Sequence, residues 1–187
     1  IVCGNSLLGA TPALIEAGVP DDAFKALTGD DKSWVTTLKK RNKAERVHRN
    51  QATLDFGPTI ASVVGELAAE LARIDAMPDD SVDSIAEQAE RFDRLQHSEA
   101  AARAKVAGDA WCAAFVAIKT KDHPVLTDEA VRTCQRGPAK VPAEIRQVIN
   151  DLAEQYAFLH LHVAFPDVFT VPDDPAAADN PLTGWSG

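Results

Sequence analysis

Ala110-Trp111-Cys112-Ala113-Ala114-Phe115-Val116-Ala117-Ile118 is apolar on every side of a helical wheel. A helix of that kind has no face to offer water, so other elements must cover it. The residues before it, from Glu99 onward, are amphipathic. The stretch 99–118 therefore reads as the central helix of a bundle.

Working outward, helical punctuation recurs on both sides. Upstream, Thr59 reads as a cap for Ile60, Val63, Val64, Leu67, Leu71 and Ile74, which recur at steps of three and four. Met77-Pro78-Asp79-Asp80 breaks the chain, and Ser81 caps a further helix with Val82, Ile85, Ala89, Phe92 and Leu95 on one stripe. Without Glu at the third position, that cap is expected to lack a full capping box. Nearer the start, Thr11-Pro12 opens a helix that Gly18 closes, and Asp21–Leu27 suits a short turn. Asp30 and Asp31 open a longer helix through Gln51 with Trp34 and Leu38 on one face. Downstream, Thr127-Asp128-Glu129 starts a short helix closed by Gly137-Pro138. Pro142 starts the last one, with Ile145, Val148, Ile149, Leu152 and Tyr156 facing inward.

The expected fold is all-α: an irregular bundle of about six to eight helices with short extended segments at both ends. The first segment is Ile1–Cys3, followed by the turn Gly4-Asn5-Ser6. The second is Leu159–Val163, where Leu159, Leu161 and Val163 alternate with His160 and His162 at the period of a strand until Pro166 stops it. Residues 170–187, with Pro172, Pro175 and Pro181, read as a flexible loop.

The 187 residues, 45% hydrophobic, suffice for one core-forming domain, and a net charge of −9 argues against nucleic-acid binding by overall charge. Charge is uneven, however. From Lys32 to Arg49 there are seven basic residues against one acidic, a net +6, which leaves −15 for the rest of the chain. Lys39, Lys40, Arg41, Lys43, Arg46 and Arg49 are the candidate phosphate contacts. A solvated helix face accounts for the same residues. No apolar run approaches the length of a membrane span, and no charged n-region precedes one at the start, so neither a membrane partner nor a signal peptide is expected. Cys3, Cys112 and Cys134 are odd in number and fit no zinc spacing. They read as buried free thiols of a reducing cytoplasm.

Candidate chemistry is sparse. His160 and His162 would share a face on a strand and begin a metal site, but no spacing marks a third ligand. Packed or hydrogen-bonded histidines are the other reading. Asp173 and Asp174 sit in turn-like, solvated sequence. No nucleophile elbow or P-loop is present. No residue is assigned as catalytic, and no metal is expected.

Two stretches carry a resemblance. Ile1-Val2-Cys3-Gly4-Asn5-Ser6-Leu7-Leu8-Gly9 resembles the GNSL/GDSL motif of DNA adenine-N6 methyltransferases of the restriction–modification type, including the phage-defence methylases of the BREX and DISARM systems. Leu159–Phe169 resembles the segment that, in that family, runs into the strand bearing the catalytic Asn-Pro-Pro-aromatic motif. Asp109–Phe115 resembles an apolar helix of the same proteins, so the three matches cover 27 of 187 residues, in the family's order.

The resemblance implies that residues 11–158 form a helical insertion domain. Residues 1–10 would then be the end of a catalytic-domain strand, and 159–187 the return to that domain. Both ends are expected to be cut edges of a larger enzyme. The parent would be an S-adenosylmethionine-dependent, site-specific DNA adenine methyltransferase acting on double-stranded DNA in the cytoplasm. It would flip the target adenine out of the duplex. The catalytic tetrapeptide and the glycine-rich cofactor motif are absent from this chain, so the fragment is expected to be inactive and to bind no cofactor alone. Asn5, where the family often has Asp, is the candidate cofactor-pocket residue. The insertion would wall the cleft, and its basic helix would position DNA phosphates without reading sequence. Two alternatives stay open: a stand-alone helical protein-interaction module docking through the central apolar helix, and a small nucleic-acid binder working through the basic helix alone.

Overall fold

The structure, a computed structural model, describes residues 2–5, 7–51 and 58–169, the side chains of 49–51 excepted. The expected loop at 170–187 and the side chain of Arg49 lie outside the described residues. Among the described residues there are eight α-helices: α1 (Pro12–Ala17), α2 (Lys32–Gln51), α3 (Ile60–Asp75), α4 (Val82–Gln96), α5 (Glu99–Val116), α6 (Asp128–Gln135), α7 (Ala143–Tyr156) and α8 (Leu161–Ala164). Short 3-10 turns lie at Asp21–Phe24 and Pro138–Lys140, and no strand occurs among the described residues. The fold is an all-α helical bundle.

α5 is its axis. Ala104, Ala107, Ala110, Ala113 and Ala114 are completely buried, and their small side chains let α3, α6 and α7 pack closely around α5. The helix ends at Val116, two residues short of the expected Ile118, because Ala117 turns extended. Lys119 fixes that end. Its buried Nζ donates to the carbonyls of Phe115 and Ala117 at 3.2 and 3.0 Å, satisfying C-terminal carbonyls where the helix dipole favours a cation. Burial, only partly offset by Asp30, pulls the Lys119 pKa below its ordinary value.

The caps follow the sequence. Thr11, Thr59 and Ser81 each accept an N–H of the first turn, and Gly18 closes α1 at φ 85°. One expectation is corrected: Ser81 does complete a capping box. Ser84 Oγ accepts the Ser81 N–H at 3.1 Å, so a hydroxyl lone pair does the work expected of a Glu carboxylate.

Two further corrections concern exposure and conformation. Most of the apolar stripe of α4 does not face the core: Val82, Ile85, Ala89 and Phe92 are exposed, only Leu95 turns toward α3, and α4 has no buried residue. It leans on α3 by another side, where Gln88 Nε2 donates to the carbonyls of Met77 and Pro78. The C-terminal stretch is extended only through Phe158–His160; Leu161–Ala164 then coil into a helical turn. The alternation in 159–163 is therefore not that of a strand. The period of two arises because His160 and His162 are both buried, one before the turn and one inside it.

A buried polar junction ties α2 to α6. Asn42 Nδ2 donates to the Val19 carbonyl at 2.7 Å, and its Oδ1 accepts the Asp128 N–H at 2.8 Å. Asp128 Oδ1 accepts the Val19 N–H at 3.1 Å, and Glu45 Oε2 accepts the Glu129 N–H at 3.0 Å. Thr127 makes no side-chain cap, so the N-terminus of α6 is capped by side chains of α2.

Candidate functional site

The two stretches that carried the resemblance lie side by side. The Asn5 N–H donates to the Ala157 carbonyl at 2.6 Å, the Leu159 N–H donates to the Leu8 carbonyl at 3.0 Å, and Asn5 pairs with Phe158 in a single parallel bridge. Ala157 ends α7 in the left-handed region at φ 51°, a conformation that costs a residue with Cβ roughly 1–2 kcal/mol. The contact is close enough to require glycine. A Cβ on Gly9 would lie 2.1 Å from the Leu159 carbonyl oxygen, and one on Gly4 would lie 2.8 Å from Leu159 Cβ.

Beneath this contact sits His160. Its Nδ1 accepts the Ala10 N–H at 3.1 Å, and its Nε2 lies 2.9 Å from Asp109 Oδ1. Because Nδ1 accepts from a backbone donor, the ring proton is on Nε2 and is donated to Asp109. Asp109 in turn pairs with Lys105 through its other oxygen. The His160 and Asp109 side chains are 2% and 4% exposed, whereas Lys105 reaches solvent. Gly108 makes room for the ring. Both ring nitrogens are engaged and closed from solvent, so this cluster is a clasp between the two segments and α5. It presents no general acid or base to a substrate.

His162 differs. It is fully buried, and neither ring nitrogen has a partner among the described residues. Burial, and secondarily the neighbouring His160 ring 6.1 Å away, push its pKa down to about 3. The imidazole is neutral throughout the physiological range. The two histidines do not act as a ligand pair. His160 spends both nitrogens in the clasp, and no group of three or more His, Cys, Asp or Glu side chains suited to a metal occurs among the described residues.

Asn5 is half-buried, and its Oδ1 accepts the Leu7 N–H at 3.1 Å. The oxygen that the resemblance implies for the cofactor pocket thus accepts one bond within its own turn. Next to the junction, Cys3, Lys105, Asn150, Glu154 and Phe158 line an open recess of about 450 Å³. Cys3 is exposed, whereas Cys112 and Cys134 are buried and their thiols are pushed up to about 12, chiefly by burial. The expectation of three buried thiols is corrected for Cys3: the extended segment that holds it lies on the outside of the bundle.

The basic helix is α2, and the structure separates its charges. Lys39, Lys40 and Lys43 are exposed. Arg41 pairs with Glu45 at 2.7 Å, and Arg46 pairs with Asp21 in a partly buried contact. At about 100° per residue, Lys32, Lys39 and Lys43 fall in one row. Lys40 lies beside that row, and Arg41 is on the opposite flank. These cations are neighbours in the chain but not all on one side of the helix surface. Asp109 has one signal in the sequence, a lone carboxylate in an apolar, Ala-rich run, a place where Asp is rarely buried unless paired.

Among the described residues, no helix is long and apolar enough to cross a membrane. No family model, curated protein or solved structure matches the chain.

Proposed function

We propose that this chain is the helical insertion of a cytoplasmic, S-adenosylmethionine-dependent DNA adenine-N6 methyltransferase of the restriction–modification or phage-defence type, inactive by itself. One observation carries the reading. The two stretches that resemble the family's motifs are some 150 residues apart in sequence yet lie parallel and hydrogen-bonded to each other. An insertion must return the chain to the place where it left, and a clamped parallel pair does that. In this reading the cofactor and the catalytic Asn-Pro-Pro motif belong to the rest of the enzyme. These residues contribute a rigid wall for the cleft. Lys39, Lys40 and Lys43 contribute phosphate contacts, while Arg41 and Arg46 are held by their own carboxylates.

The test is to express the open reading frame that encodes this chain and follow labelled methyl groups from S-adenosylmethionine into duplex DNA. The expected result is transfer to adenine N6 that is lost when the Asn of the Asn-Pro-Pro motif is replaced by Ala. A frame with neither motif nor transfer refutes the proposal, as would transfer by the isolated chain.

A second reading, a helical protein-interaction module, is favoured by the exposed apolar stripe of α4. In this reading α4 rather than the central helix would carry the contact, because most of the apolar residues of α5 are buried.

A further inference from the structure

We infer that the exposed face of α4 is a docking surface for an amphipathic helix whose apolar seam is bordered by Lys or Arg. Val82, Ile85, Ala89, Phe92 and Gln96 recur at steps of three, four, three and four, the spacing of a knobs-into-holes seam. Val82 is 83% exposed, Ile85 53% and Phe92 41%, in a helix with no buried residue. At its C-terminal end the stripe opens into a groove where Phe92 meets Leu67, Leu71, Val163 and Pro166. A helix of fifteen residues is about 22 Å long, so three to four turns of a partner fit along it.

The charge beside the stripe selects the partner. Gln88 and Leu95 occupy the side turned to α3. On the opposite side, at about 100° per residue, Asp93 and Ala86 flank the stripe, with Glu90 and Asp83 further round and Arg94 just beyond them. Glu90 makes only an exposed 3.6 Å pair with Arg94, and Asp93 an exposed 3.5 Å contact with His97, so both stay open to a stronger cation. A second copy of this chain fits poorly: antiparallel self-pairing would bring two acidic borders to the same side. A basic-bordered helix meets both the seam and the border.

The probes are three labelled three-heptad peptides. One has Leu at the seam and Lys at the borders, one has Leu with Glu borders, and one is a scrambled version of the first. Binding is read by fluorescence anisotropy. The Lys-bordered peptide should bind at least about tenfold tighter than either other peptide, and Ile85→Glu should weaken it at least about tenfold. Glu90→Lys with Asp93→Lys should reverse the preference between Lys and Glu borders. Helix content by circular dichroism checks that each variant is folded. Equal binding of the scrambled peptide, or indifference to Ile85→Glu, would overturn the inference. So would self-association in sedimentation that Ile85→Glu abolishes, which would make a second copy the occupant. Tighter peptide binding after removal of residues 170–187 would overturn it in favour of the chain's own segment.

Discussion

The same substitution at two glycines should move stability in opposite directions. Gly65 lies inside α3 with nothing within 4 Å of where a Cβ would stand. Gly65→Ala should gain the ordinary helix-interior advantage of Ala over Gly, about 0.5–1 kcal/mol. Gly108 lies inside α5, but a Cβ there would stand 2.7 Å from His160 Cε1 and 2.8 Å from each ring nitrogen. The ring cannot simply yield, because Ala10 and Asp109 hold it at both nitrogens. Overpacking costs about 1–3 kcal/mol. Displacing the ring leaves the Ala10 N–H and the Asp109 carboxylate short of partners, a further ~1–3 kcal/mol. After the helix gain is subtracted, Gly108→Ala should destabilise by about 1–5 kcal/mol. Urea titration followed by circular dichroism reads both variants, and thermal midpoints should shift by about 2–4 °C per kcal/mol in a chain of this size. In a His160→Ala background, Gly108→Ala should lose most of its cost, with a coupling of about 0.5–3 kcal/mol. Stabilisation by Gly108→Ala equal to that of Gly65→Ala would refute the clasp.

Other perturbations test other parts of the molecule. His162 stays neutral in the folded state down to about pH 3, whereas the unfolded chain takes up the proton near 6.5. The unfolded state therefore binds more protons between those values, and this contribution is complete above pH 6.5 and lost as pH falls. The urea midpoint of the wild type should thus drop faster than that of His162→Leu, the difference approaching ~1.4 kcal/mol per pH unit; parallel profiles would refute the buried neutral imidazole. Asn42→Ala removes partners from the Val19 carbonyl and the Asp128 N–H and should cost about 2–4 kcal/mol in the same titration. A thiol reagent should modify one cysteine, Cys3, in the folded chain and all three after unfolding, with mass spectrometry naming the site. On the proposed reading, in which α2 contacts DNA, Lys39→Glu, Lys40→Glu and Lys43→Glu together should lower the salt slope of duplex binding by about 2.7. Arg46→Glu should instead lower stability through Asp21, as read by urea titration.

What was legible in the sequence was what three or four neighbouring residues decide. Thr11 with Gly18, Thr59 and Ser81 mark their helix ends by local hydrogen bonds, and the all-round apolar stretch of α5 could only be buried. The hidden parts are pairings across long separations. Asn42 meets Asp128 across 86 residues, and Ala10 meets His160 across 150. Neither has a local pattern. Periodicity established that Val82, Ile85, Ala89 and Phe92 share a stripe, but a stripe does not say whether anything in the same chain covers it. Similarly, a run of cations does not reveal which of them a nearby carboxylate has claimed. Glu45 could be seen four residues from Arg41; Asp21, which holds Arg46, could not be assigned to it from spacing.

The glycines of the first motif have a physical explanation that is independent of any cofactor. Gly4 and Gly9 face Leu159 from one side, and Gly108 faces His160 from the other, so three glycines serve two consecutive residues. Their common effect is to let the segment 157–160 lie between the N-terminal stretch and α5 at backbone contact distance. Closing a loop of 150 residues costs roughly 4–5 kcal/mol in chain entropy. Two backbone hydrogen bonds and the buried Ala10–His160–Asp109 chain are of the size needed to offset it, at about 0.5–1.5 kcal/mol for each neutral bond and 1.5–3 for the charged one. The bundle therefore carries its own clamp. The two end segments hold each other through Leu8–Leu159 and Ala10–His160, with Ala157 and Asp109 of the bundle completing the clamp, and in the proposed reading a sheet continued from them would inherit that spacing. This is why one buried imidazole, that of His160, is the residue whose loss should most disturb any activity that depends on the two segments together.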